Sequence, residues 1–191
     1  MNDLSTPIDF LLTRRSSPAK ALQAPVPGGA ALDTILTAAA RVPDHGKLAP
    51  WRFAVLGQAA LSRLADLTIE IGLAQGRDPG RMEKAAETFR AAPMVVAVIS
   101  KHDAGAKIPL FEQQLSAGAA CAAMVNAALA SGFGAAWLTG WVANDAEFNR
   151  CAHGIEPPDF VAGYIHLGTA SATPPERPRP DLSDIVIRVD A

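Results

Sequence analysis

Residues 93–100 read Pro-Met-Val-Val-Ala-Val-Ile-Ser, and no other stretch limits the fold as much. The run is too short for a buried helix and rich in β-branched residues, so it reads as a strand. It does not alternate apolar with polar, so both faces must be covered. The chain therefore needs a layer of helices on each side of a sheet. Periodicity supplies them. Residues 30–41 place Leu32, Ile35, Leu36 and Ala39 on one face, residues 61–74 do the same with Leu64, Leu67 and Ile71, and residues 81–90 read as a charged, solvated helix. A longer helix is expected over 111–131 and a short one over 144–151, capped by Asn144 or Asp145. Further strands are expected at 51–56, at 160–167 closed by Gly168-Thr169, and in the tight turn and short strand ending at Gly140. Helices and strands alternate only loosely, so the expected class is α+β with a mixed central sheet flanked by helices.

The 191 residues suit one domain, 1–191, of which about 171–191 form an extended arm because 171–183 are rich in Pro and Arg. Seventeen basic and nineteen acidic residues give a net charge of -2. No field of one sign points to nucleic acid or to an anionic membrane. The most apolar stretch, 117–130, contains Asn126 and falls short of the ~20 residues a spanning helix needs. The first residues do not read as a signal peptide, and Cys121 and Cys151 are too few for a disulfide framework, so the reducing cytosol is the expected compartment.

Chemistry concentrates in two places. Residues 41–53 pack Arg41, Asp44, His45 and Lys47 between a helix and a strand, around Pro43 and Gly46. Such a loop can hold a ligand or simply be solvated. Residues 9–15 read as the end of a first helix, with Arg14 and Arg15 in its last turn and Ser16 just after. They can complement the negative end of that helix, or form an anion site, since guanidinium forks match phosphate oxygens. The four histidines show no metal spacing, and there is no nucleophile elbow and no P-loop. Gly132-Phe133-Gly134 begins like a dinucleotide fingerprint but lacks its third Gly or Ala and follows a helix, so a Rossmann site is excluded. The helix over 111–131 carries Ala117, Gly118, Ala119, Ala120, Ala122 and Ala123. Small residues of this kind suit a crowded core or a subunit interface equally.

Five ordered blocks carry a resemblance: Leu11-Leu12-Thr13-Arg14-Arg15-Ser16; Arg41 to Lys47; Pro50-Trp51-Arg52-Phe53; Ser116-Ala117-Gly118; and Gly132 to Trp137 with Leu167-Gly168-Thr169. Together they resemble the flavin-dependent nitroreductase family, and within it the short YdjA-like NAD(P)H nitroreductase branch. The resemblance implies a nitroreductase-like fold and a homodimer with FMN at the subunit interface. It implies that Arg14, Arg15 and Ser16 hold the FMN phosphate and ribityl chain. Arg41 and His45 also touch FMN, His45 from the other subunit. Trp137, Leu138 and Thr139 line the isoalloxazine, with a backbone N–H near Trp137 at flavin N5. Ala127, Ala128, Leu129, Ala130, Ser131 and Gly132 match the stretch assigned to NAD(P). The flavin carries the redox chemistry, so no catalytic side chain and no metal is required.

The implied activity is NAD(P)H-driven reduction of nitroaromatic or quinone-type acceptors by a ping-pong mechanism, with NADH or NADPH as donor. Reduction of another small substrate, such as a carbonyl or enal, and a flavin-binding module without useful turnover are the alternatives. The sequence departs from larger members of the family in three ways. Pro18 stands where many carry Lys, with Lys20 nearby; Leu48-Ala49-Pro50-Trp51 replaces Asn-x-Gln-Pro-Trp; and the long lid insertions are missing.

Overall fold

The computed structural model describes residues 6–189; residues 1–5 and the last two of the expected arm, 190 and 191, lie outside the described residues. Five strands form: β1 (Leu22–Gln23), β2 (Trp51–Leu56), β3 (Val95–Ser100), β4 (Gly134–Leu138) and β5 (Phe160–Ala170). The helices are α1 (Pro7–Thr13), α2 (Gly29–Ala39), α3 (Gln58–Ala74), α4 (Pro79–Arg90), α5 (Leu110–Ala130), α6 (Ala146–His153) and α7 (Leu182–Ile185). The apolar run is β3, buried at all six positions. It lies between β2 and β5, while β5 also pairs with β4 and, at its far end, with β1. All four ladders among the described residues are antiparallel.

β3 is covered on both faces, as its sequence requires. Val95, Ala97 and Ile99 pack with Leu61 and Leu64 of α3, Phe89 of α4 and Phe148 of α6. Val96 and Val98 pack with Ile35 of α2 and Ala117, Ala120 and Met124 of α5. Between Val98 and Ile99 the register slips: Val98 faces Gly163 and Ile99 faces Val161, so Ala162 is the extra residue of a bulge. One extra residue reverses the alternation of sides. Val161 and Tyr164 therefore share the face toward α3 and α4, and Ile165 and Leu167 the face toward α2 and α5.

Two details differ from the sequence reading. The first helix ends at Thr13, and Arg14 has extended backbone with ψ 139°, so both arginines lie beyond the last turn. The helix-dipole explanation for them therefore lapses. The connector after Ala21 holds β1, and β5 runs through Gly168 to Ala170 to meet it. Gly168 makes this pairing possible: a Cβ there would stand 2.8 Å from the Gln23 carbonyl oxygen. Beyond β5, residues 171–181 have no regular structure and α7 is four residues long.

Candidate functional site

α1 is fixed at its start by Thr6, whose hydroxyl accepts the Asp9 amide. The helix buries no residue of its own. What anchors the segment after it is the sheet: the Ser17 amide donates to the Ala135 carbonyl of β4. Between these anchors Arg14 Nη2 donates to Ser16 Oγ at 3.0 Å. Arg14 Nε is buried and has no hydrogen-bond partner among the described residues. Burial draws the Arg14 guanidinium below its usual value, and Arg179 and Arg15 add like charge beside it. A buried donor without an acceptor, amid positive charge, fits an anion. Arg15 is partly committed, since its Nε and Nη2 both donate to the Pro175 carbonyl. The arm thus folds back over the arginines and adds Arg179, which sequence reasoning passed over. The run of Pro and Arg after residue 173 was the available signal, but nothing local said where the arm would lie.

β4 leads away from this cluster. From Gly134 to Leu138 it spans about 13 Å at ~3.3 Å per residue. At its far end a cavity of about 270 Å³ opens, lined by Leu138, Thr139, Trp141, Thr88, Phe89 and His166. It is mostly apolar, and the strand places Leu138 and Thr139 on it as expected. The Trp137 side chain does not line it. Its indole crosses to the α5 side, over Gly163 and beside Cys121, and donates to the Ala162 carbonyl at the bulge. Successive residues of a strand face opposite ways, so Trp137 and Leu138 cannot share one wall.

The loop of Arg41 and His45 sits elsewhere. His45 Nδ1 pairs with Glu112 Oε2 at 2.7 Å, in the first turn of α5. Ser116 Oγ donates to the Pro43 carbonyl and accepts Trp51 Nε1, which fastens the loop to the same half of α5. Asp44 is spent within the loop: its two carboxylate oxygens accept the Leu48 and Ala49 amides. That bracing holds Lys47 and Ala49 at φ 57° and 47°. Arg41 is exposed. The arginine cluster lies at the other end of α5, where Phe133 bonds back to Ala128 and β4 begins. From Glu112 to Ala130 the helix rises about 27 Å at ~1.5 Å per residue.

The stretch Ala127 to Gly132 is the exit of α5. Ala128 is buried, Ala127 and Leu129 pack into the core, and the amides of Ser131 and Gly132 bond back into the helix. None of these residues lines the cavity.

A model of the nitroreductase family matches residues 11–169, the whole span from α1 to β5. The chain belongs to the nitroreductase family. Two relatives in it carry the name "Putative NAD(P)H nitroreductase". The protein YdjA of Escherichia coli (strain K12) is 35% identical over 162 residues, and that of Haemophilus influenzae (strain ATCC 51907 / DSM 11121 / KW20 / Rd) 38% over 168. Each alignment spans 85% of this chain and 87% of the relative. Among solved structures, a nitroreductase-like protein from Bacillus cereus superposes with a TM-score of 0.81 at 17% identity, each chain fully covered. A nitroreductase with bound FMN from Bacteroides fragilis NCTC 9343 gives 0.72 at 18%, again over both full chains. These two likenesses show the nitroreductase fold. No helix among the described residues is long and apolar enough to cross a membrane.

Proposed function

We propose that this chain is an FMN-dependent oxidoreductase that works as a homodimer and passes electrons from NADH or NADPH to a small acceptor of nitroaromatic or quinone type, by ping-pong turnover. The observation that carries the reading is the pairing of two unlike ends along β4. One end offers Arg14 Nε, buried and unpartnered, beside Arg15, Ser16 and Arg179. The other offers an apolar cavity walled by Leu138 and Thr139. A flavin mononucleotide has the same polarity: a dianionic phosphate at one end and a flat ring at the other.

When bound, FMN supplies the two-electron chemistry. The chain's own groups then have separable tasks. Arg14, Arg15 and Ser16 hold the phosphate and ribityl chain, with Arg179 closing over them. Leu138 and Thr139 line the ring, and the backbone near Trp137 offers its amide rather than its indole. His45 is held at Glu112, about 27 Å along α5 from the end where β4 begins, and FMN is shorter than that, so His45 serves the flavin of the second copy. Arg41, exposed before the same loop, also touches FMN. The exposed apolar side chains of α1 (Ile8, Leu11, Leu12) and of α5 (Phe111, Leu115) support a covering partner.

The Ala127 to Gly132 stretch lends little to nucleotide recognition, because the amides of Ser131 and Gly132 are already paired within the helix end and its other side chains are mostly alanine. That favours one second reading, a flavin-binding module that turns over no nicotinamide. Anaerobic stopped-flow of the FMN-loaded protein separates the two. Bleaching of the flavin band by NADH or NADPH, faster than with free FMN, is expected of the enzyme; a rate equal to that of free FMN is expected of the module.

A further inference from the structure

Among the described residues, four buried side-chain polar atoms have no partner: Arg14 Nε, His166 Nδ1, Trp141 Nε1 and Asn149 Oδ1. Arg14 belongs to the anion site, and His166 and Trp141 both line the cavity at the other end of β4. Folding rarely leaves such atoms bare. Three of the four thus fall along the proposed flavin site, Arg14 at one end of β4 and His166 and Trp141 at the other, and that calls for a ligand; Asn149 lies apart from it, buried in α6.

His166 is the sharper case. It stands on β5 opposite Val95 on one side and Ala136 on the other, on the α4-facing side that the bulge at Ala162 gives it. It is 1% exposed. No hydrogen bond to either of its ring nitrogens occurs among the described residues. The walls around it are the Phe89 ring, the Leu138 side chain and the Tyr164 ring, and the Tyr164 hydroxyl is taken by His153 Nε2 at 2.9 Å.

We infer that His166 is a cofactor-contacting residue, its unpaired ring nitrogen hydrogen-bonding the polar edge of the flavin ring; this rests on the flavin reading above. Burial holds its imidazole down to about 4, so it meets the flavin as a neutral dipole. A neutral imidazole carries one N–H and one bare nitrogen, and the pyrimidine edge of a flavin alternates acceptors with a donor. Either tautomer therefore finds a complement there.

FMN is titrated into the apoprotein of the wild type, His166→Phe and His166→Gln, with flavin fluorescence as the readout. His166→Phe keeps a ring of similar size without nitrogen and is expected to bind FMN about tenfold more weakly. His166→Gln restores a donor and an acceptor and is expected to stay within about threefold of the wild type. In parallel, the Nδ1 resonance of His166 in histidine-labelled wild-type apoprotein is expected to move when FMN is added. Unchanged affinity in His166→Phe, equal loss in both variants, or an unmoved resonance overturns the assignment and leaves the flavin reading standing. Wild-type apoprotein that takes up no FMN overturns both. The resonance needs no variant, so it decides the matter even where His166→Phe does not fold.

Discussion

In the proposed site, Arg14 is a side chain costly to the fold and needed for the ligand. Its guanidinium is half-buried, faces Arg15 and Arg179, and leaves Nε unpaired. Arg14→Ala is therefore expected to weaken FMN by about 100-fold, the worth of one or two charged hydrogen bonds. The same variant, as apoprotein, should melt no lower than the wild type, because a like-charge cluster has been relieved. Fluorescence titration and a thermal melt check the two halves; an apoprotein destabilised by the change would show that Arg14 is structural. A second residue-scale expectation concerns acid. Burial holds both His153 and His166 down to about 4, with Arg63 adding to the effect at His153, against about 6.5 when unfolded. Both are thus neutral in the fold, and the unfolded chain takes up protons first. The stability they allow is fully present above about pH 6.5 and is lost as pH falls toward about 4. Melting temperatures of the apoprotein between pH 7.5 and 4.5 should fall over that window, and a flat profile would contradict it. That Arg14, Arg15 and Ser16 form a cluster was legible in the sequence, since they are neighbours. Arg179 and His166 were not, because each enters through a non-local event: the return of the arm in one case, and a one-residue bulge in the other.

At the scale of elements, the sequence announced β2 to the residue and β3 to within two, because Pro50 and Gly57 bracket the first and the second is an unbroken apolar run after Pro93. It also announced α5, whose small residues divide between two roles. Ala117, Ala120 and Ala128 are buried against the sheet, while a Cβ at Gly118 would meet nothing within 4 Å. β1 was missed because two residues carry no periodicity; their strand character comes wholly from pairing with Ala170 and Thr169. Gly168 is the key to that pairing. Gly168→Ala would push against the Gln23 backbone and the Pro93 ring, not against a flexible side chain. We expect it to cost about 1–3 kcal/mol and to lower the melting temperature by roughly 2–10 °C. A melt unchanged within a degree would show that β1 is not held there.

The whole molecule exposes more apolar surface than one chain can use. Beyond α1 and α5, the arm shows Ile185, Val186, Ile187 and Val189 to solvent, Ile187 at 89%. Together with the separation of His45 from Arg14, this supports the proposal that a pair of chains, not the single chain, completes a flavin site. Gly118→Trp should fold as a chain, since the space outside Gly118 is open, yet block the second copy. Sedimentation should then show single chains, with FMN affinity lost alongside; a Gly118→Trp dimer would place the contact elsewhere. The most direct test is native mass spectrometry of the wild-type protein equilibrated with FMN. The account expects two chains carrying one FMN each, and FMN released together with dissociation. A single chain retaining FMN, or a dimer that takes up none, would contradict it.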